Sequence, residues 1–254
     1  VEEATEMPSE ELRQNTYDEV ADQYAQYLRQ GEQGAFSFHR DLIIPNLLSS
    51  VGDVAGLAVL DAGCGEGVIA RLLAERGASV TAIDISPRLV ALAQAHDRER
   101  AVTYAVHDLS QPLPHYEQQF DLAVSNLVLN DVPDYVGFIN TVSAVTKPNG
   151  RFVLSFNNPY SALIREKVRN YFDSGAASLY NMAKEGVAVY YFHHTLEEYM
   201  TAFREAGFLL RSLTDVRMTD EMVTRMPELN RQLPYAGMYD RFPFFLILEL
   251  IKFE

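Results

Sequence analysis

The sequence predicts an α/β protein: a doubly wound, mostly parallel sheet with helices on both faces. Three observations point there. Short apolar runs alternate with helical segments between Ala58 and Phe156. A glycine-rich loop joins the first run to the helix that follows it. The second run ends in an acid, and the third is followed by one. The 254 residues, 48% of them hydrophobic, suffice for one such domain with an elaboration.

The elements follow in order. Residues 8 to 30 have helical spacing, with Leu12, Val20, Tyr24, Tyr27 and Leu28 sharing part of one face. A second helix is expected from Ser37 to Val51, bent by Pro45 or starting near it. Ala58–Ala62 reads as a buried strand and Glu66–Arg76 as a helix ended by Gly77. Ser79–Asp84 is a strand; Ser86 and Pro87 then look like an N-cap and first helical residue, with the helix running to about Arg98. Val102–His107 and Phe120–Ser125 are strands, Asp134–Thr146 a helix, Pro148–Gly150 a turn and Arg151–Phe156 a strand. A helix from Leu196 to Ala206 ends at Gly207, and strands fall near 208–217 and 243–252. The rhythm breaks over residues 159–194, which are aromatic, partly helical and too long for a simple connection. The expected organisation is therefore N-terminal helices over 1–52, a core over 53–158 and 195–254, and an inserted cap over 159–194.

Composition narrows the function. Lys+Arg number 21 and Asp+Glu 35, a net charge of −14. A surface this acidic repels phosphate backbones and anionic membranes, so neither nucleic acid nor membrane is an expected partner. A small-molecule substrate is expected instead, and a homodimer is compatible with the sequence. The single cysteine, Cys64, excludes an intrachain disulfide and a four-cysteine zinc site, and fits a cytoplasmic protein. Residues 1–14 are rich in Glu and lack the apolar region of a signal peptide. No apolar run approaches the roughly 20 residues of a membrane span.

The densest signal is Val59-Leu60-Asp61-Ala62-Gly63-Cys64-Gly65-Glu66-Gly67, where a strand meets a helix. Glycines let backbone approach a ligand closely there, and the helix end adds free N–H groups. Seventeen residues past Gly67, Asp84 ends the second strand and can accept both hydroxyls of a ribose. Asp108, after the third strand, can accept an adenine amine. A nicotinamide dehydrogenase would also use a loop and one acid. Its G-x-G-x-x-G spacing differs from Gly63-x-Gly65-x-Gly67, and Asp61 beside the loop suits a cationic ligand end better than a pyrophosphate.

At these residues the chain resembles the class I S-adenosylmethionine-dependent methyltransferases, and most of all the ubiquinone/menaquinone-biosynthesis-type branch that acts on small molecules. The resemblance runs from about Tyr17 to the C-terminus. It implies a seven-stranded sheet of order 3-2-1-4-5-7-6 and S-adenosylmethionine as cofactor. It implies that Asp61, Gly63, Cys64, Gly65 and Gly67 form the loop holding the cofactor's methionine part, and that Asn126 joins them from the fourth strand's end. Asp84 would take the ribose, Ile85 and Leu109 would flank the adenine, and Asp108 would bind its amine. Tyr17-Asp18-x-x-Ala21-x-x-Tyr24 resembles the helix that folds over the cofactor, bringing Tyr17 and Tyr24 to the site. The segments 192–199 and 241–246 resemble the start of the family's fifth helix and its last, antiparallel strand. The implied activity is methylation of a small aromatic or apolar metabolite, at oxygen, nitrogen or carbon, in secondary metabolism.

Such a reaction needs an acceptor held in line with the methyl carbon, at roughly 3–3.5 Å, and for some acceptors a base. His193 is the expected base or hydrogen-bond partner, the alternative being a structural histidine at a helix start. His194 is an expected substrate contact; adjacent histidines on a strand face opposite ways, so no metal site is expected. Asn130 and Asp131 follow the fourth strand at the ligand-binding edge, where a solvated turn is equally compatible. Tyr160, Tyr180, Tyr190 and Tyr191 of the cap are expected to line a substrate pocket. Asn157-Asn158-Pro159-Tyr160 is similar to the Asn-Pro-Pro-Tyr motif of nucleobase and glutamine-amide methyltransferases, but it follows the wrong strand and lacks the first Pro. A non-catalytic cofactor-binding scaffold remains the remaining alternative.

Overall fold

The structure is a computed structural model that describes residues 16–30, 36–175, 177–181, 188–226 and 231–253. Residues 8–15 of the first expected helix lie outside them. The described part begins with α1 (Thr16–Glu19) and α2 (Ala21–Gln30). The second expected helix is present but in two pieces. Ser37 caps a wide π-turn segment over Phe38–Ile43, which leads into α3 (Ile44–Val51). Pro45 is the cause: it has no N–H to donate and crowds the preceding turn, so it can stand only at a helix start.

Then come β1 (Ala58–Ala62), α4 (Val68–Glu75), β2 (Ser79–Asp84), α5 (Pro87–His96), β3 (Val102–Val106) and β4 (Phe120–Asn126). The Ser86 hydroxyl accepts from the Leu89 amide, the cap the Ser-Pro pair predicted. α6 (Tyr135–Val145) runs directly into β5 (Thr146–Asn157). The expected Pro-Asn-Gly turn survives as an excursion within β5: its pairing with β4 jumps from Thr146 to Arg151, with Asn149 at φ 60°. Among its described residues the segment 159–194 holds one short helix, α7 (Ser161–Ile164), and an antiparallel pair of β6 (Ala177–Asn181) and β7 (Ala188–Phe192). The chain closes with α8 (Leu196–Glu205), β8 (Phe208–Val216), α9 (Asp220–Thr224) and β9 (Phe245–Lys252). Thr195 and Glu198 form a reciprocal capping box at the start of α8.

The main sheet has the order β3-β2-β1-β4-β5-β9-β8. Counting its own strands only, this is the expected 3-2-1-4-5-7-6. β1 to β5 pair parallel, while β9 runs antiparallel between β5 and β8. Alternate residues of the central strands feed two cores. Val59, Val124 and Val153 pack with Leu47 of α3 and Leu73 of α4. Leu60, Ala123 and Phe152 pack with Ile139 of α6 and Phe203 of α8. The strand order reverses between β1 and β4, which opens a crevice at their carboxyl ends. Among the described residues, no helix is long and apolar enough to cross a membrane.

Candidate active site

A cavity of about 660 Å³ occupies that crevice, within the usual range for small-molecule sites. The glycine loop forms its floor. Gly63, Gly65 and Gly67 have φ of 79°, 54° and 76°, a region that residues with a Cβ rarely adopt. The amides of Gly63 and Cys64 both donate to the Ile83 carbonyl, which pins the loop to β2. A Cβ on Gly65 would meet nothing within 4 Å and would stand in the cavity it lines.

Acids surround this floor. Asp84 accepts from the Gly65 amide on Oδ2 at 2.8 Å and from the Ser86 amide on Oδ1 at 2.9 Å. A carboxylate has about four acceptor positions, so two remain. Burial raises the Asp84 pKa, against these backbone hydrogen bonds. Asp61 lies beneath the loop, 1% exposed, and its Oδ2 has no hydrogen-bond partner. Burial, and then the nearby Asp84 charge, pushes its pKa up to about 7. Asp108 accepts from the Ser110 amide and hydroxyl on Oδ1, at 2.9 and 2.7 Å. Ile85, between the two outer acids, leaves 41% of its surface open at the cavity wall.

Helix α1 lies across the mouth, fastened at two points. Asp18 accepts from the Ser86 hydroxyl at 2.6 Å and the Arg88 amide at 2.9 Å, at the positive end of α5. Tyr17 donates its hydroxyl to Asp131 Oδ2 at 2.8 Å. Its ring meets Tyr24 edge-on, and both line the cavity. On the far side Tyr190 and Phe192 of β7 add an aromatic wall.

The structure thus brings Tyr17, Tyr24, Gly63, Gly65, Asp84, Ile85, Asp108, Leu109, Asn126 and Tyr190 to one cavity. Asp61, Cys64 and Gly67 stand behind its lining. The Cys64 thiol is held far above its usual pKa by burial and by the charges of Asp61 and Asp84, so it stays protonated and fills space. The other expected residues do not line it. His193 is fully buried, and its Nε2 lies 2.7 Å from the Tyr171 carbonyl. A carbonyl only accepts, so Nε2 carries the proton, and the unpartnered Nδ1 faces protein. His194 packs on Tyr135, with Nδ1 3.1 Å from the Ser174 hydroxyl. Asn130 is buried and structural: it accepts from the Asn157 amide and donates to the Tyr199 hydroxyl. Tyr160 stacks on Tyr171 at 4.5 Å outside the cavity. Tyr191 is buried beneath the Lys167 ammonium, 3.9 Å from its ring. The side chain of Tyr180 lies outside the described residues.

Leu89, Ser110, Gln111 and Phe138 also line the cavity without having been singled out in the sequence, and Phe192, Leu127 and Val128 line it as well. Strand alternation puts Phe192 on one face with Tyr190 while Tyr191 turns away. Leu127 belongs to the segment at the end of β4 that the family resemblance brought to the cofactor. It takes φ 58° just past β4, costly for a residue with a Cβ, and its amide donates to the Ser155 carbonyl.

The buried acids make stability depend on pH. An unfolded Asp ionises near pH 4, whereas Asp61 and Asp131 hold their protons to about pH 7. Between those values the folded chain binds more protons, so stability falls as pH rises through this window. At about 1.4 kcal/mol per pKa unit, each group contributes on the order of a few kcal/mol. Urea unfolding from pH 4.5 to 8 should show this decline in the ligand-free protein, and Asp61→Asn should remove a large part of it. An equal slope in the variant would show that Asp61 ionises normally.

Comparison with known proteins agrees with this geometry. Residues 60–154 match the family model described as a methyltransferase domain. A ubiquinone biosynthesis O-methyltransferase of Xylella fastidiosa (strain 9a5c) is 30% identical over 167 residues, 65% of either chain. One of Xanthomonas oryzae pv. oryzae (strain PXO99A) is 37% identical over 108 residues, 42% of this chain and 45% of the relative. The matches therefore span less than two thirds of these relatives. An S-adenosylmethionine-dependent methyltransferase from Mesorhizobium loti superposes with a TM-score of 0.63 at 28% identity, over 82% of this chain and 96% of that one.

Residues 60–154 thus carry a methyltransferase domain, and the chain has the fold of the S-adenosylmethionine-dependent methyltransferases. The residues present fit the cofactor. Two open acceptor positions on Asp84 match two ribose hydroxyls. Ile85 offers an apolar face for a purine, with the free Oδ2 of Asp108 beside it. The buried acids suit a ligand that carries positive charge.

Proposed function

We propose that this protein transfers the methyl group of S-adenosylmethionine to a small acceptor with an aromatic or apolar body, as a step in metabolite biosynthesis in the cytoplasm. The observation that carries the reading is the continuity of the cavity. It runs from the acids at the ends of β2 and β3, over the glycine loop, to the wall of Tyr190 and Phe192. One end suits an adenosine and the other a flat apolar molecule.

When bound, the cofactor supplies a methyl group already activated by a sulfonium. The chain's residues then have to bind, orient and exclude water. Asp84, Ile85 and Asp108 hold the nucleoside end. Gly63, Gly65 and Asn126 admit the methionine end, with the Asn126 amide oxygen fixed by the Ser155 hydroxyl at 2.7 Å. Tyr17 of α1 and Tyr24 of α2 close over it. The β6–β7 pair screens the acceptor from solvent, where fixed dipoles act more strongly than in water. The net charge of −14 supports a small acceptor over a nucleic acid.

The test is methyl transfer from S-[methyl-³H]adenosylmethionine to a panel of phenols, hydroxybenzoates, alcohols and amines. Label should pass into an organic-extractable product of an aromatic acceptor. Label confined to added DNA, RNA or protein would overturn the small-molecule reading.

A further inference from the structure

We propose that Asp131 is the proton acceptor of the transfer, and hence that the methyl acceptor presents a hydroxyl group. The inference rests on the methyl-transfer reading above. Asp131 lies in the loop after β4, at the point where the strand order reverses. Asp131 lines the cavity, as do Gly63 and Gly65 of the glycine loop and the aromatic wall of Phe192 and Tyr190. One oxygen is committed: Oδ2 accepts from Tyr17 at 2.8 Å. Among the described residues no donor reaches Oδ1, which leaves it for a ligand. A partly buried acid that lines a cavity, with one oxygen held by a fixed tyrosine, is placed to receive a proton.

Its surroundings tune it for that task. The titratable groups acting on it come from every element around the loop: Tyr17 from α1, Lys167 after α7, Tyr191 from β7 and Tyr199 from α8. Burial raises the Asp131 pKa to about 7, while the Tyr17 hydrogen bond and the Lys167 ammonium pull the other way. A base poised near the working pH is the most effective. His193, the candidate from the sequence, points its only free nitrogen into protein. Asp131 is thus the acid of the cavity with both an open oxygen and a matched affinity for a proton.

The chemistry selects the acceptor. A neutral amine attacks through its lone pair and needs no base beforehand, whereas a hydroxyl is a poor nucleophile until its proton leaves. The proton moves from the acceptor oxygen to Oδ1 of Asp131, and the O–H bonding pair stays on that oxygen. An oxygen pair forms the new O–C bond, and the pair of the breaking S–C bond stays on sulfur as a neutral thioether. Asp131 then returns its proton to water.

Two measurements test this. The first needs no substrate: carboxyl ¹³C shifts of aspartate-labelled protein, with Asp131 assigned by Asp131→Asn, are followed from pH 3 to 9. A midpoint near 7 is expected, rising further in Tyr17→Phe, which removes a bond to the charged form. A midpoint near 4 would overturn the proposal. The second compares wild type and Asp131→Asn with catechol, 4-hydroxybenzoate and aniline as acceptors, S-adenosylhomocysteine affinity being measured in parallel. Expected are methylation of a hydroxyl acceptor with a rate rising through about pH 7, and a loss of about a hundredfold or more in the variant at pH 7. Affinity for S-adenosylhomocysteine should stay within threefold. Equal rates in the variant, or transfer to aniline alone, would refute the assignment. If wild type fails to bind S-adenosylhomocysteine, the underlying methyl-transfer reading falls, and the ¹³C midpoint still reports on Asp131.

Discussion

Asp84→Ala is expected to weaken S-adenosylmethionine binding at least a hundredfold. The carboxylate does two jobs with four acceptor positions. Two positions bind the Gly65 and Ser86 amides, which ties the glycine loop to the end of β2. Two are left for a ribose. A hydrogen bond to a charged group is worth about 1.5–3 kcal/mol, so losing both ribose contacts removes about 3 kcal/mol or more. At 1.4 kcal/mol per tenfold this is at least about a hundredfold in Kd. Freeing the Gly65 amide also loosens the floor beneath the ligand. Calorimetric titration of the folded variant checks the prediction. A Kd within threefold of wild type would show that Asp84 serves the loop alone.

Gly63→Ala is expected to damage the fold, and Gly65→Ala to damage binding instead. The two glycines are two residues apart in one loop, yet their surroundings differ. A Cβ on Gly63 would lie 2.4 Å from Val128 Cγ2 and 2.9 Å from its Cγ1, inside any tolerable contact. Valine is stiff at χ1, so it cannot swing aside. Left-handed backbone adds about 1–2 kcal/mol and overpacking typically 1–3 kcal/mol. The sum, about 2–5 kcal/mol, lowers Tm by roughly 5–15 °C for a chain of this size. At Gly65 the added methyl meets only the cavity. There the stability loss should be about 1 kcal/mol, from backbone strain, while S-adenosylhomocysteine binding is blocked. Thermal melts with and without S-adenosylhomocysteine separate the two effects. Equal Tm values for Gly63→Ala and wild type would show that the loop can shift away from Val128.

The contrast between what the sequence revealed and what it hid has a physical basis. Asp61, Gly63, Asp84, Ile85 and Asp108 were legible because each sits where an apolar run stops. A parallel sheet presents those stops at one edge. The strand order came from the family resemblance and not from that pattern, while Ser86-Pro87 marked α5 through capping chemistry that acts over three residues. The cap was opaque. Its aromatic residues suggested a pocket, but Tyr160 stacks on Tyr171 and Tyr191 turns into protein. The same side chains serve packing and binding alike, and only the register of the β6–β7 pair decides which face the cavity. His193 misled for a related reason. Histidine suits proton transfer anywhere, while its actual bond to the Tyr171 carbonyl depends on a backbone position 22 residues away. Asp131 was read, with Asn130, as a residue at the ligand-binding edge and not as a base. Its distinction is the hydroxyl of Tyr17, 114 residues earlier in the chain, a contact that no local spacing encodes.

The central claim is that the crevice between β1 and β4 holds S-adenosylmethionine. Calorimetric titration of the purified protein with S-adenosylmethionine, S-adenosylhomocysteine and NADH, side by side at pH 7.5, tests it most directly. Micromolar binding of the first two with no heat from NADH is the predicted result. Binding of NADH alone would contradict it, and would make Gly63, Gly65 and Gly67 the turn of a nicotinamide enzyme.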